Sequence, residues 1–223
     1  MYENFFVYNN VVIGSTARAL LLVGIDHLYV YHNTVYGSHP DAHPYHLVAF
    51  GSKSPPLTLH IDMRNNIIHG TLPDSSFDAR CVYREGNSTF SERNYNLYFQ
   101  EDPAQPFTGA NPNFGPESWD YFMSDWNSWR SAFGWEQNSP TPADPRFIEP
   151  AKANFRLQPG SPAIGAATPL ALVTKDILGN PRDTLHPTIG AYEYIDSSVS
   201  GSTFWMLMLP AIQGKKQGLE RSW

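Results

Sequence analysis

The sequence predicts an all-β chain built from stacked coils of short strands, and three observations carry that prediction. A self-similar segment recurs: FFVYNNVVIG, LYVYHNTVYG and DMRNNIIHG each run an apolar-alternating strand, a polar residue and Asn, then a second apolar strand and Gly. The second Asn falls at Asn10, Asn33 and Asn66, and a weaker copy, SERNYNLYF, adds Asn96, giving spacings of 23, 33 and 30 residues. Units of that length with two short strands each signal a β-solenoid. Composition agrees, with 16 Gly, 19 Pro and 15 Asn for turns and 14% aromatic residues for strands. Charged residues make up only 16% of the 223, too few for a coiled coil or a charge-driven disordered chain.

Each coil can be read in order. Aligned on the Asn, Phe5, Leu28 and Ile61 form one column and Val7, Val30 and Met63 another; alternation turns these inward. The columns between them, Phe6–Tyr29–Asp62 and Tyr8–Tyr31–Arg64, turn outward. Further apolar runs at Leu20–Val23, Leu47–Phe50 and Cys81–Tyr83 supply a third strand per coil. Asn suits the bend because it tolerates the left-handed backbone region, and stacked amides can bond along the axis. Beyond the coils, Trp119, Phe122, Trp126, Trp129 and Phe133 recur at helical spacing, with Ser118 as N-cap and Gly134 as stop. This aromatic stripe packs a helix onto a sheet, with sugar binding as the alternative. Residues 138–150 form a Pro-rich connection, and IDSSVSGST reads as a linker before a polar tail.

Fifteen basic against 21 acidic residues give a net charge of −6, which excludes a surface built to neutralise phosphates, so nucleic acid is not an expected partner. The single cysteine, Cys81, excludes a disulfide framework and reads as a small buried hydrophobe. No signal peptide is visible at the start, and no run approaches the roughly 20 apolar residues of a membrane span.

Coils with an Asn stack at a tight bend resemble the right-handed parallel β-helix proteins of the pectate-lyase type. The motifs YNLYF, ADPRFIEP, NFRLQPGSPAIGAA, DILGNPR and PTIGAYEY, in that order, resemble the C-terminal module of secreted bacterial members of that superfamily. The resemblance covers roughly residues 1–195. It implies a right-handed parallel β-helix of about four coils over 1–112, a helix and capping module over 113–195, and a linker with a disordered tail over 196–223. It also implies a secreted or cell-surface location and polysaccharide as partner. Members usually carry more coils and an N-terminal cap, so upstream coils of a longer parent chain are expected to hold the chemistry.

Candidate chemistry is sparse. His39, Asp41, His43 and His46 crowd one Pro-containing segment and are weak candidates for a transition metal; a solvated turn is the alternative, and no metal is assigned. His27, His60, Asp62 and Arg64 align on or near the outward face and are weak catalytic candidates. Lyases of this superfamily use Arg or Lys as base and acidic residues to hold calcium; Arg64 with Asp62 could imitate part of such a site, or form a surface ion pair. Calcium belongs only to that lyase-like reading, because the acidic cluster it needs is missing; no other cofactor is evident. Glycosidases need facing carboxylates, and Asp26 and Asp62 occupy different columns. Tyr29, Tyr31 and Arg64 are the candidate sugar contacts. Asp176, Arg182 and Glu193 read as structural, pinning a last strand, Ile189–Tyr194, against the final coil. The functional expectation is the C-terminal part of an extracellular protein that binds or acts on polysaccharide and shows no turnover as the isolated chain. A non-catalytic adhesive solenoid is the alternative, with a self-contained lyase or glycoside hydrolase third.

Overall fold

A computed structural model of the protein describes residues 2–14, 18–37, 45–51, 58–71, 79–85, 88–110 and 120–196. The strands in chain order are β1 (Tyr2–Tyr8), β2 (Val11–Gly14), β3 (Arg18–Leu22), β4 (Ile25–Tyr31), β5 (Thr34–Gly37) and β6 (Tyr45–Phe50). They continue with β7 (Leu59–Arg64), β8 (Ile67–Gly70), β9 (Ala79–Arg84), β10 (Phe90–Asn94), β11 (Leu97–Gln100) and β12 (Thr108–Ala110). Every third strand joins the same sheet: β1-β4-β7-β10, β2-β5-β8-β11 and β3-β6-β9-β12, each with four strands. All pairings within these sheets are parallel. Among the described residues the architecture is mostly β and solenoid-like, with three parallel sheets and one short α-helix.

Register follows the repeat. Phe5 pairs with Leu28 and Leu28 with Ile61; Val7 pairs with Val30 and Val30 with Met63. Leu28, Val30, Ile61 and Met63 are buried between the sheets, together with Leu47, Phe50, Cys81 and Val82 from the third sheet. Cys81 is fully buried, and burial pushes its thiol pKa up to about 12, so it is an inert core residue. The middle sheet is covered on both faces. Ile68 joins the inner core, while its neighbour Ile67 packs outward with Leu97, Phe147, Phe155, Leu157 and Ile189. That is why IIHG is buried throughout, and why Val11 and Val12 each pack into a different core, while Ile13 at the first layer stays exposed.

The Asn stack is continuous. Asn10 Nδ2 donates to Asn33 Oδ1 (2.9 Å), Asn33 Nδ2 to Asn66 Oδ1 (3.0 Å), and Asn66 Nδ2 to Asn96 Oδ1 (2.9 Å). The left-handed backbone belongs to the residue before each ladder Asn: Asn9, His32, Asn65 and Tyr95 have φ of 55°, 50°, 63° and 57°. The ladder Asn is thus needed for its amide, while the residue before it makes the bend.

Two expectations about the second half need correcting. The helix α1 spans Trp126–Phe133, preceded by a 3₁₀ turn at Met123–Asp125, and ends at Gly134 with φ 72°. Phe122 is extended and Tyr121 bridges Thr108, so the aromatic period does not run as helix through 122. The start is set by Asp125, whose Oδ2 accepts the Phe122 backbone N–H at 2.9 Å, and Ser118 and Trp119 lie outside the described residues. Trp126 and Trp129 are buried against Phe107, so the stripe is core.

The other correction concerns the last strand. Two short antiparallel strands, β13 (Phe147–Glu149) and β14 (Asn154–Leu157), introduce the C-terminal segment. Residues 189–194 are not a strand and do not lie on the final coil's edge. They run along the turns of earlier layers: Gly190 N donates to Asn65 O (2.8 Å), and Ala191 N to Thr34 Oγ1 (3.0 Å). A Cβ at Gly190 would sit 2.7 Å from Ile67 Cδ1, at a φ of 96°, so only Gly allows this approach. Arg182 pairs with Glu193 (3.3 Å) and donates to Asn9 Oδ1 (2.8 Å), tying the module to the first layer. Burial lowers the Arg182 pKa, with Glu193 and Asp176 opposing. Asp176 organises its own turn, accepting N–H groups from Leu178, Asn180 and Glu193. The tail from 197 lies outside the described residues.

Strands β1, β2 and β3 are the edges of their sheets at one end, where Phe5, Phe6, Tyr8, Ile13, Leu21 and Val23 are exposed. Unpaired strand edges with apolar side chains template association. The purified chain is therefore expected to associate with rising concentration in sedimentation velocity, and the double substitution Phe5→Lys/Ile13→Lys to restore a monomer. A wild-type chain that sediments as a monomer throughout would refute this.

Candidate functional site

The outward face of the first sheet gathers the sequence-predicted residues. Side chains of one column stand opposite each other on neighbouring strands, because the strands are parallel and in register. Tyr29 lies opposite Phe6 and Asp62, and Tyr31 opposite Tyr8 and Arg64. The Phe6 and Tyr29 rings stack at 4.6 Å with planes 12° apart; Tyr31, 6.0 Å from Tyr29, is only 5% exposed, so it is buried behind the face and not the open sugar contact its outward column predicts. Phe6 is 44% exposed, so this aromatic pair faces solvent.

Arg64 is committed within the face. Its Nε donates to Asp62 Oδ1 (2.7 Å) and its Nη2 to Asp62 Oδ2 (2.6 Å) and Tyr31 Oη (3.1 Å). Tyr31 Oη also donates to Asp62 Oδ2 at 2.6 Å. Partial burial would lower the Arg64 pKa, but the bonds to Asp62 and Tyr31 outweigh it and raise it above the ordinary guanidinium value. Tyr31 is likewise raised, by burial first and then by Asp62. A general base must release its proton near the working pH, and this environment holds the proton on. Among the described residues, then, Arg64 and Asp62 form a bidentate ion pair, arranged as a structural clasp on the sheet.

His27 and His60 stand one column further along. Both have left-handed backbones (φ 55° and 52°), as does Asn4 in the same column. Their rings stack at 4.7 Å, and Asp26, which the alignment placed in no column with them, joins them. Asp26 Oδ1 lies 2.7 Å from His60 Nδ1 and 3.2 Å from His27 Nδ1. The hydrogen bond from His60 holds the Asp26 carboxyl below its ordinary pKa, with the two histidines adding a coulombic contribution. His39, Asp41 and His43 lie outside the described residues; His46 stands on β6 in register with Arg18 and Arg80.

Sequence reasoning missed one buried cluster. The ladder ends on Glu136: Asn96 Nδ2 donates to its Oε1 (3.0 Å), and Tyr98 Oη to the same oxygen (2.5 Å). Arg93, also fully buried, pairs with Glu136 at 3.2 Å, and Ser139 completes the cluster. Only the stray Arg within the weak fourth repeat signalled it.

The described cavities lie away from the first sheet's outer face. One, about 560 Å³, sits between His32 and the 169–187 segment and is mostly apolar, and another, about 430 Å³, lies among Ile148, Leu157, Leu178 and Tyr192. A third, about 230 Å³, is lined by His69, Glu101, Asp144 and Arg146.

Comparison with models of known protein families, with curated proteins and with solved structures yields no match to this chain.

Proposed function

We propose that this chain is the C-terminal part of an extracellular right-handed parallel β-helix protein of the pectate-lyase type, that it binds polysaccharide on the outward face of the first sheet, and that catalytic coils lie upstream. The observation that carries the binding reading is the solvent-facing Phe6–Tyr29 ring stack on a strand-paired platform. The stack occupies one face of each ring and leaves the other face of Phe6 and the ring edges as apolar surface on which a sugar ring can lie, with polar groups beside it. About four coils, read from the four-strand sheets, and the order of C-terminal motifs support the family reading.

The neutralised Arg64 favours binding without turnover. A lyase must stabilise the developing enolate beyond the ground state, and a guanidinium already spanned by Asp62 has no free fork for a uronate carboxylate. Titration of polygalacturonate, alginate and a neutral glucan into the chain is the test. Weak binding is expected, reduced about fivefold or more by Tyr29→Ala, which corresponds to roughly 1 kcal/mol. No ultraviolet-absorbing unsaturated product is expected, with or without calcium. Such a product, abolished by Arg64→Ala, would overturn the non-catalytic reading, and binding indifferent to Tyr29→Ala would overturn the platform.

A further inference from the structure

We infer that Asp26, His27 and His60 form a binding site for one divalent transition-metal ion of the zinc class. The inference does not depend on the polysaccharide reading. Asp26, His27 and His60 each offer one ligand atom, and these three atoms all lie within 4.8 Å of one another. In a tetrahedral site with bonds near 2.0–2.1 Å, neighbouring ligand atoms sit about 3.3 Å apart. The Asp26–His27 separation of 3.2 Å already matches that spacing. His60 is closer, at 2.7 Å, because it hydrogen-bonds the carboxylate directly, and a modest rotation of this exposed ring opens the gap.

The scaffold supports the geometry. His27 and His60 project from adjacent strands of one parallel sheet, β4 and β7, so backbone pairing fixes their separation. Left-handed backbone at both residues sets the direction of each ring, and the same turn at Asn4 shows that it belongs to the fold. What is particular to this place is the choice of imidazole at two consecutive layers and a carboxylate beside them. The ring stack at 4.7 Å brings two imidazoles to the side of one carboxylate, where a single cation can be shared among them.

Two imidazoles and one carboxylate select the class of ion. Imidazole suits zinc, copper, nickel and iron, while calcium wants six to eight oxygens and magnesium an octahedral oxygen shell. Three protein ligands leave a fourth position for water or a ligand group. Both histidine side chains are about half exposed, at 49% and 54%, so an ion has direct access from solvent.

The test is calorimetric titration of the metal-stripped full chain with Zn²⁺, and visible spectroscopy with Co²⁺. Asn occupies the same column at Asn4, so His27→Asn and His60→Asn keep a residue that accepts the left-handed backbone; Asp26→Asn removes the charge with little change in shape. The expected result is one Zn²⁺ bound through this cluster and a Co²⁺ spectrum with d–d bands. Each substitution should weaken binding about tenfold or more, as loss of even supporting groups commonly does. Circular dichroism of the metal-free variants confirms that they fold. A second chain, His39→Ala/His43→Ala/His46→Ala, separates this site from the other histidine group: it should retain the ion. No binding at millimolar Zn²⁺, binding that survives His60→Asn and Asp26→Asn, or binding lost only in the triple variant would each overturn the assignment.

Discussion

Replacing Glu136 with Ala is expected to destabilise the fold by about 3–5 kcal/mol, the usual cost of stripping one partner from a buried ion pair. For a domain of this size, that lowers the melting temperature by on the order of 10 °C. Arg93 and Glu136 are both fully buried, and the guanidinium also lies 4.9 Å from the Trp129 ring centroid and 5.2 Å from that of Phe90. Without the carboxylate, a charge stays in the core, and the Asn96 amide loses the acceptor that ends the ladder. Tyr98 Oη loses its 2.5 Å partner as well. The double change Arg93→Met/Glu136→Leu removes the stranded charge and should cost less than Glu136→Ala alone. Urea denaturation of the three chains decides the matter. A single-variant loss below about 1 kcal/mol would mean that the cluster is relaxed or hydrated.

Asn66→Ala should be the next most damaging change, at about 3 kcal/mol, whereas Asn10→Ala should cost under about 1 kcal/mol. The Asn66 side chain takes part in five hydrogen bonds. Its Oδ1 accepts from Asn33 N and Nδ2, and its Nδ2 donates to Val30 O, Arg64 O and Asn96 Oδ1. Asn66 is buried, so the groups left behind cannot recover water; Asn10 is exposed at the end of the stack, and its neighbours can. Chemical denaturation of Asn10→Ala, Asn33→Ala and Asn66→Ala should show Asn10→Ala as the mildest by a clear margin. Equal losses at all three positions would deny that burial within the stack sets the cost.

Much of the coil region was legible because a parallel, in-register stack repeats one environment. Phe5, Leu28 and Ile61 could be aligned from the Asn alone, since side chains alternate with a period of two and each layer copies the last. The alternation breaks at Val11–Val12 and Ile67–Ile68, and the reason is physical: there the C-terminal module covers the sheet's outer face. Helix length was misjudged because aromatic spacing reports a buried face without reporting backbone. Phe122 keeps the period yet is extended, held beside the Tyr121–Thr108 bridge. The candidate face was legible as a set of columns, but its electrostatics were not. Whether Arg64 reaches a ligand or Asp62 depends on side-chain directions that sequence spacing does not encode.

By itself, then, the sequence determined the strand order, the ladder positions and the inward columns from the second layer on, because these follow from local period and repeat; Phe5, at the end of its column, stays exposed. Tertiary structure alone decided how the ladder ends, where the module lies and which groups meet across layers. Glu136 stands 40 residues from Asn96, in a segment with no ladder motif, and can replace a carboxamide only because buried Arg93 balances its charge. Gly190 and Arg182 reach Asn65 and Asn9 along the turns rather than the final coil, since those left-handed bends present backbone and amide groups to that flank. Asp26 meets His27 and His60 because a left-handed residue in each strand redirects the rings toward a carboxylate outside their column. Such contacts share no period, and only the path of the folded chain brings them together.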